Sequence, residues 1–159
     1  PRLCRDWSSD VCSSDLGMIT DLYSMKIEPE LPTYMGRIFE MACIQFLQRL
    51  NRQHQLPFVV ESFHPWWGGN PVSKQQEEID IVGLGEDAAI YGECKYRQDP
   101  VGMETLQKLM ERSQLVTRNR KFFYLFSKSG FTNTLIKQAK NYETLRLFTL
   151  DDLYQIPED

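Results

Sequence analysis

Apolar residues in the first half of the chain show one clear helical period. Between residues 34 and 51 they recur at i, i+3, i+4 and i+7, which is the spacing of a single stripe along an α-helix. The stripe consists of Met35, Ile38, Phe39, Ala42, Phe46, Leu47 and Leu50. The pattern therefore predicts an amphipathic helix over residues 34–51, with Thr33 as its N-cap.

Shorter segments between residues 58 and 96 have the composition of strands and tight turns. They are a β-prone segment at 58–63, a turn or loop at 66–71, an alternating strand at 78–84, a hairpin turn at 85–87 and a partner strand at 88–96. Successive side chains of a strand point to opposite faces, so Ile79 and Ile81 should share one face. The hairpin should hold the last two strands side by side.

The rest of the chain alternates helical and extended patterns. It predicts a helix at 101–118 directly after Pro100, a buried strand at 121–127, a helix at 131–141, a strand at 145–149 and a short helical turn at 151–154. The resulting order, α-β-β-β-α-β-α-β, predicts an α/β fold with a mixed central sheet and helices on both faces.

Residues 1–16 differ from the rest of the chain. Residues 6–16 repeat Ser-Ser-Asp twice and match the translation of a common sequencing-library adapter. We interpret residues 1–16 as an artefact of sequence assembly, the alternative being a disordered tail rich in Ser and Asp. Residues 17–33, with Pro29 and Pro32, predict a linker from a missing upstream part, and residues 34–159 predict one domain.

Composition and charge narrow the classes of protein. The chain of 159 residues has 42% hydrophobic and 25% charged residues, as ordinary globular proteins do, and no apolar run long enough for a membrane span. Four scattered cysteines and two histidines do not form a zinc motif, so we expect reduced thiols and a cytoplasmic protein. Residues 1–94 hold 7 basic and 14 acidic side chains, whereas residues 95–146 hold 11 basic and 4 acidic ones. The second half is therefore a candidate surface for nucleic-acid phosphates, although scattered solvated lysines would have the same composition.

Three charged residues within the predicted hairpin are the candidate chemistry. Asp80 lies in the middle of an alternating strand, and Glu93 and Lys95 lie two residues apart in its partner, so their side chains should share a face. Adjacent carboxylates repel each other unless a cation lies between them. A hard divalent ion, Mg²⁺ or Mn²⁺, fits such oxygen ligands, with the Cys94 carbonyl as a third. Lys95 would then lie beside a metal-bound water, an arrangement suited to attack on a phosphodiester.

The pattern D-x(12)-E-x-K resembles the PD-(D/E)XK nuclease superfamily, and the predicted element order is similar to its αβββαβ, restriction-endonuclease-like core. The resemblance implies that a Glu of the first helix joins the site, and Glu40 occupies that position. It also implies a supporting role for Gln107 on the second helix. Lys128, which precedes the third predicted helix, is a candidate contact to the DNA backbone. Ile79 stands where the superfamily name has Pro.

Five segments together resemble one family, the domain of unknown function at the C-terminus of DEXX-box (AAA+-type) ATPases of archaea and bacteria. They are G-x-x-F-E at 36–40, Trp66-Trp67, and residues 78–82, 92–95 and 126–131. The resemblance implies DNA as a partner and an N-terminal P-loop ATPase in the same parent protein. No G-x-x-x-x-G-K-[ST] motif occurs in this chain.

Several alternatives remain open at this stage. Glu93 and Lys95 would also suit a surface ion pair on an edge strand, and Glu40 a solvated helix position. A degenerate site would leave a DNA-binding or regulatory module of the ATPase without cleavage. The sequence does not define the oligomeric state or the type of nucleic acid.

Overall fold

The computed structural model describes residues 23–71 and 73–154. By internal contacts the chain divides into residues 1–35 and 36–159. In the first unit, Tyr23–Ile27 forms one π-helical turn. The interpretation of residues 1–16 as an artefact, and the start of the predicted linker at 17–33, lie outside the described residues.

The elements follow the predicted order along the chain. They are α1 (Leu31–Arg52), β1 (Ser62–Gly69), β2 (Gln76–Leu84), β3 (Ala88–Lys95), α2 (Met103–Arg112), β4 (Arg120–Ser127), α3 (Asn133–Asn141), β5 (Leu145–Thr149) and α4 (Leu150–Tyr154). The predicted α/β class and its αβββαβ core are confirmed. No helix in the described part of the chain is both long and apolar enough to cross a membrane.

The five strands form one mixed sheet in the order β1-β2-β3-β4-β5. β1 pairs antiparallel with β2, and β2 antiparallel with β3. β3 and β4 are parallel, as are β4 and β5. Parallel neighbours need a crossover connection, and α2 and α3 provide the two that this sheet requires.

A separate apolar core covers each face of the sheet. The first, here called the α1-side core, includes Phe39, Cys43, Phe46, Leu47, Leu50, Ile81, Ile90, Cys94, Phe122, Tyr124 and Phe126. The second, the α2-side core, includes Ile79, Val82, Ala89, Tyr91, Leu106, Leu109, Phe123, Leu125, Leu135 and Leu145. Side chains alternate between the two cores along β3 and β4, as expected for strands buried on both faces.

The buried stripe of α1 is narrower than the sequence pattern predicts. Ile38 was expected in the core but is 40% exposed, whereas Cys43 is fully buried. The helix also begins three residues earlier than predicted, at Leu31, with Pro32 in its first turn. Proline is tolerated there because first-turn N–H groups have no partner within the helix.

Helix α2 ends at Arg112, six residues before the predicted end. The hydroxyl of Ser113 donates to the carbonyl of Met110 at 2.7 Å, and Nζ of Lys121 donates to the carbonyl of Ser113 at 2.9 Å. These side chains satisfy carbonyls at the end of the helix, so the helix can stop there without unpaired groups. Met110, in the last turn of this helix, is 45% exposed.

The predicted turn at residues 66–71 is wrong for its first four residues, because β1 continues to Gly69. The half-buried Trp66 packs against the α2-side core. A Cβ atom at Gly68 would lie 2.6 Å from the Trp66 ring, so the bare backbone of Gly68 makes room for the indole. The two glycines of this segment therefore belong to the strand, and the chain reverses between Asn70 and Gln75.

Candidate functional site

Strand β2 carries one extra residue opposite Pro65. His64 pairs with Val82 and Trp66 pairs with Ile79, so Asp80 and Ile81 together face a single residue of β1. Such a bulge bends the strand and re-aims its side chains, and proline suits the position because it has no N–H to leave unpaired.

The bulge changes which side chains of β2 share a face. Ile79 packs into the α2-side core and Ile81 into the α1-side core. The prediction that both lie on one face was therefore wrong. A strict period of two assumes no inserted residue, and the sequence carries no strong signal of one.

Strands β2 and β3 part at the bulge. Their regular pairing runs from Leu84–Ala89 to Ile81–Gly92 and ends there. Beyond that point the backbone N–H of Cys94 donates to Oδ2 of Asp80 at 2.7 Å. A side-chain carboxylate thus takes the place that a backbone carbonyl of β2 would have in a continued ladder.

Glu93 lies next to this opening and is 5% exposed. Its Oε1 is 2.6 Å from Nζ of Lys95, and its Oε2 is 3.5 Å from Nη1 of Arg112. The Nε of Arg112 also donates to Oε2 of Glu77 at 2.9 Å. Both oxygens of the buried carboxylate therefore face cations, which offsets much of the cost of its burial.

The sequence patterns did not single out Arg112 or Glu77. One signal for Arg112 was present, since it lies three residues after Leu109 and seven after Thr105, which are buried residues of α2. It therefore falls on the stripe of the helix that faces the sheet. A cation on that stripe needs carboxylate partners, and Glu77 and Glu93 are both within reach in the structure.

Burial, followed by the neighbouring Glu93 carboxylate, raises the pKa of Asp80 to about 7. The hydrogen bond from Cys94 and the charge of Lys95 act in the opposite direction but do not outweigh burial. Asp80 therefore lacks a sufficient counter-charge at neutral pH in the metal-free protein.

The pKa of Lys95 is affected by opposing influences. Burial would lower it, but the carboxylates of Glu93 and Asp80 outweigh burial, and the pKa is raised. Lys95 therefore stays an ammonium group at neutral pH. In this state it donates hydrogen bonds and cannot accept a proton.

The other predicted site residues differ in how they interact with Asp80, Glu93 and Lys95. Glu40 on α1 is half-buried, and its pKa is raised by burial and Glu78, with Lys95 and Arg37 acting against them. Lys128 donates its backbone N–H to the carbonyl of Lys95 at 3.1 Å, and its Nζ lies 4.5 Å from the ring centre of Tyr96. Gln107 is exposed on α2, and within residues 23–71 and 73–154 no hydrogen bond joins its side chain to Asp80, Glu93 or Lys95.

The donors at the opening match a hard divalent ion in type. Asp80 and Glu93 supply carboxylate oxygens, and Asp80 is a half-buried carboxylate whose ionised form a cation would stabilise. Among the described residues, no three His, Cys, Asp or Glu side chains converge closely enough to hold a metal ion. The set thus fits an ion such as Mg²⁺, which binds through one or two carboxylates and keeps several waters. The αβββαβ core and the D-x(12)-E-x-K pattern at the parting strands resemble those of the PD-(D/E)XK nuclease superfamily.

A family model matches residues 14–114, which are more than half of the chain. The matching family, DUF234, is described as archaeal and bacterial proteins of unknown function. The chain belongs to this family.

Individual similarities are more distant. The chain is 27% identical over 133 residues to the uncharacterized protein MJECL04 of Methanocaldococcus jannaschii, covering 80% of this chain and 27% of that protein. In structure it is similar to the MspJI restriction endonuclease in complex with a 27-mer oligonucleotide (TM-score 0.49, 13% identity, 94% of this chain and 31% of that chain). It is also similar to the DNA modification-dependent restriction endonuclease AspBHI (TM-score 0.39, 18% identity, 96% of this chain and 38% of that chain).

Proposed function

We propose that this chain is a nuclease domain that hydrolyses phosphodiester bonds of DNA with Mg²⁺ or Mn²⁺. One observation carries the proposal: two carboxylates and an ammonium group meet where β2 and β3 part, and Asp80 lacks an adequate counter-charge there. Such a site gains stability from a dication, and a dication beside a lysine is equipped for phosphoryl chemistry.

Asp80 and Glu93 are the proposed metal ligands, with the Cys94 carbonyl as a third oxygen. The N–H and C=O of one strand residue point to the same side, and the N–H of Cys94 points to Asp80, which supports this carbonyl as a ligand. When bound, the ion would lower the pKa of a water and offset charge on the phosphate.

Lys95 and Glu40 are the proposed catalytic residues. Because the pKa of Lys95 is raised, its role is to orient the attacking water and to stabilise negative charge on the phosphoryl oxygens as an ammonium group. Glu40 approaches from α1, and its raised pKa suits a carboxyl that shares a proton or a water with the site. Lys128, whose backbone N–H donates to the carbonyl of Lys95, is proposed to contact the DNA backbone. Gln107 has no role in the proposed mechanism.

The proposal extends to the parent protein. The chain spans 27% of the length of its curated relative MJECL04. We infer that the domain follows an N-terminal P-loop ATPase in a longer cytoplasmic protein, whose motor would bring DNA to the site. The excess of basic side chains over residues 95–146 supports a DNA partner.

Cleavage of DNA by the full chain tests the function. Single-stranded, duplex and branched DNA would be incubated with Mg²⁺, Mn²⁺ or EDTA. We expect metal-dependent cleavage that falls about a thousandfold in Asp80→Asn and in Lys95→Met. Lys137→Ala, which removes an exposed charge from α3, is the matched control and should cleave normally. Cleavage that persists in EDTA or in both site variants would reject this mechanism.

One observation favours a second candidate, a non-catalytic DNA-binding or regulatory module. Both oxygens of Glu93 are already paired, with Lys95 and with Arg112, so the site is stable in part without a metal. The dependence of DNA binding on Mn²⁺ separates the two candidates. A module of this kind would bind DNA with the same affinity in Mn²⁺ and in EDTA, and Asp80→Asn would not change that affinity.

A further inference from the structure

Arg112 has no role in the proposed chemistry, yet it is closely held at the site. Its guanidinium reaches Glu77 through Nε at 2.9 Å and Glu93 through Nη1 at 3.5 Å. The side chain of Arg112 is 27% exposed, and that of Glu93 is 6% exposed. An arginine so placed has lost much of its hydration, so its two carboxylate partners must compensate for that loss.

Arg112 and a divalent ion would compete for the same carboxylate oxygen. Lys95 occupies Oε1 of Glu93, which leaves Oε2 as the oxygen on the side of Arg112. A dication bound there would lie within a few ångströms of the guanidinium, and like charges at such distances repel strongly in a partly buried site. Both cations cannot keep their best geometry at Glu93 together.

We propose that Arg112 is a resident counter-ion of Glu93 that a divalent metal displaces, while Glu77 keeps it beside the site. This inference rests on the proposed metal site. In the metal-free protein Arg112 pairs with Oε2 of Glu93 and holds that side chain in place. When the metal binds, the guanidinium leaves Glu93 and stays paired with Glu77, so part of the binding energy of the metal is spent on the exchange.

The surroundings of Arg112 give it room for this movement. A polar cavity of about 280 Å³ adjoins it, lined by Asn70, Gln75, Glu77, Lys108, Glu111 and Arg112. Glu77 and Glu111 place negative charge on its wall, which would stabilise a guanidinium that turns away from Glu93. The movement needs a change of side-chain rotamers only, because Glu77 on β2 already holds the Nε end.

Affinity for Mn²⁺ in the metal-free full chain tests the exchange without depending on catalysis. Calorimetric titration would compare the wild type with Arg112→Gln, Arg112→Lys and Lys108→Gln. We expect Arg112→Gln to bind Mn²⁺ on the order of tenfold more tightly, because the competing charge is gone. Arg112→Lys, which keeps the charge, should return most of the way to the wild-type affinity.

Lys108→Gln is the matched control, since it removes one positive charge from the same helix and the same cavity. It should change the affinity by less than about twofold, because screening weakens charges that are not in contact. An equal gain in Lys108→Gln would show a general charge effect and overturn the proposal, as would an unchanged or weaker affinity in Arg112→Gln.

The unmodified protein provides a second measurement if Arg112→Gln does not fold. The side-chain Nη–H signals of Arg112, at the end that contacts Glu93, would be followed by proton–nitrogen NMR while Mg²⁺ is added. A shift that saturates with the metal, and that Asp80→Asn abolishes, supports displacement. A signal that stays unchanged while Mg²⁺ binds overturns this inference and leaves the proposed function intact, whereas absence of any metal binding overturns both.

Discussion

The two ends of the β2–β3 pair differ in nearly every property. From Leu84–Ala89 to Ile81–Gly92 the strands are regularly paired, and Ile81 and Ile90 are fully buried in the α1-side core. From Asp80 and Glu93 onward the pairing stops, and charged side chains alternate with the buried Ile79 and Cys94. Only one step along each strand separates the two regions.

This difference shows how one hairpin provides both a scaffold and a site. The paired end fixes β3 between its neighbours through backbone hydrogen bonds and apolar burial. The open end uses that rigidity to hold charged groups that would otherwise repel each other or draw in water. Stability and chemistry should therefore respond to substitutions at opposite ends of the same strands.

The largest effect on stability is expected at the paired end. Ile90→Ala should lower the free energy of unfolding by about 3 kcal/mol, because it leaves a cavity in the α1-side core. The affinity for Mn²⁺ should change less than about twofold, as the backbone pairing remains. Urea denaturation and calorimetry measure the two quantities, and Ile90→Val, with a loss of about 1 kcal/mol, is the graded control. A parallel loss of Mn²⁺ binding would show that the two ends are not separable.

At the open end, substitution of Asp80 should raise the free energy of unfolding, by less than Ile90→Ala lowers it. The pKa of Asp80 is about 7 in the folded protein against an ordinary 3.8, because burial and then Glu93 disfavour its ionised form. Between these two values the unfolded chain loses its proton while the folded one keeps it. Stability of the metal-free protein should therefore fall as pH rises from about 4 to about 7, and this group should add no further change above that.

Asp80→Asn removes this dependence, since the amide cannot ionise but can still accept from the N–H of Cys94. At pH 8 and without metal, we expect Asp80→Asn to be about 2 kcal/mol more stable than the wild type, with little difference at pH 4. This figure is below the full effect of the pKa change, because the ionisation of Asp80 is linked to that of neighbouring groups. Urea denaturation across this pH range measures the difference, and Asp99→Asn, at an exposed position, is the control. An unchanged pH slope in Asp80→Asn would contradict the assignment.

The smallest effect is expected opposite the bulge. Pro65 faces the extra residue of β2, where a backbone N–H would have no ladder partner. Pro65→Ala should therefore change the free energy of unfolding by less than about 1 kcal/mol and leave the Mn²⁺ affinity within about twofold. Thermal unfolding and calorimetry measure both. A loss of metal binding would mean that the proline, and not the inserted residue, sets the direction of Asp80.

Much of the fold was predictable because it follows local patterns. The sequence pattern predicted β5 at residues 145–149, which are its bounds in the structure. It predicted the bounds of β4 to within one residue. Boundaries that depend on tertiary contacts were not predictable in the same way. The early end of α2 depends on Ser113 and Lys121, and the strand character of Trp66–Gly69 depends on pairing with Glu77 and Glu78.

The candidate site was predictable in its residues and only in part in its geometry. Asp80, Glu93 and Lys95 could be identified because charges within apolar strands need a reason, and they do lie together. The bulge at Asp80 and the pairing of Arg112 with Glu93 could not be derived, because each depends on the registers of elements distant in sequence. The roles of these residues in metal binding and catalysis remain predictions.

The inserted residue of β2 also separates the length of the strand from the register of the sheet. Ile79 and Val82 both face the α2-side core, and they pair with Trp66 and His64, which lie two residues apart on β1. Deletion of Asp80 would therefore restore a regular strand and leave both side chains on the face that they have now. It would remove only the carboxylate that accepts from Cys94, so the sheet would keep its pairing and lose the candidate site.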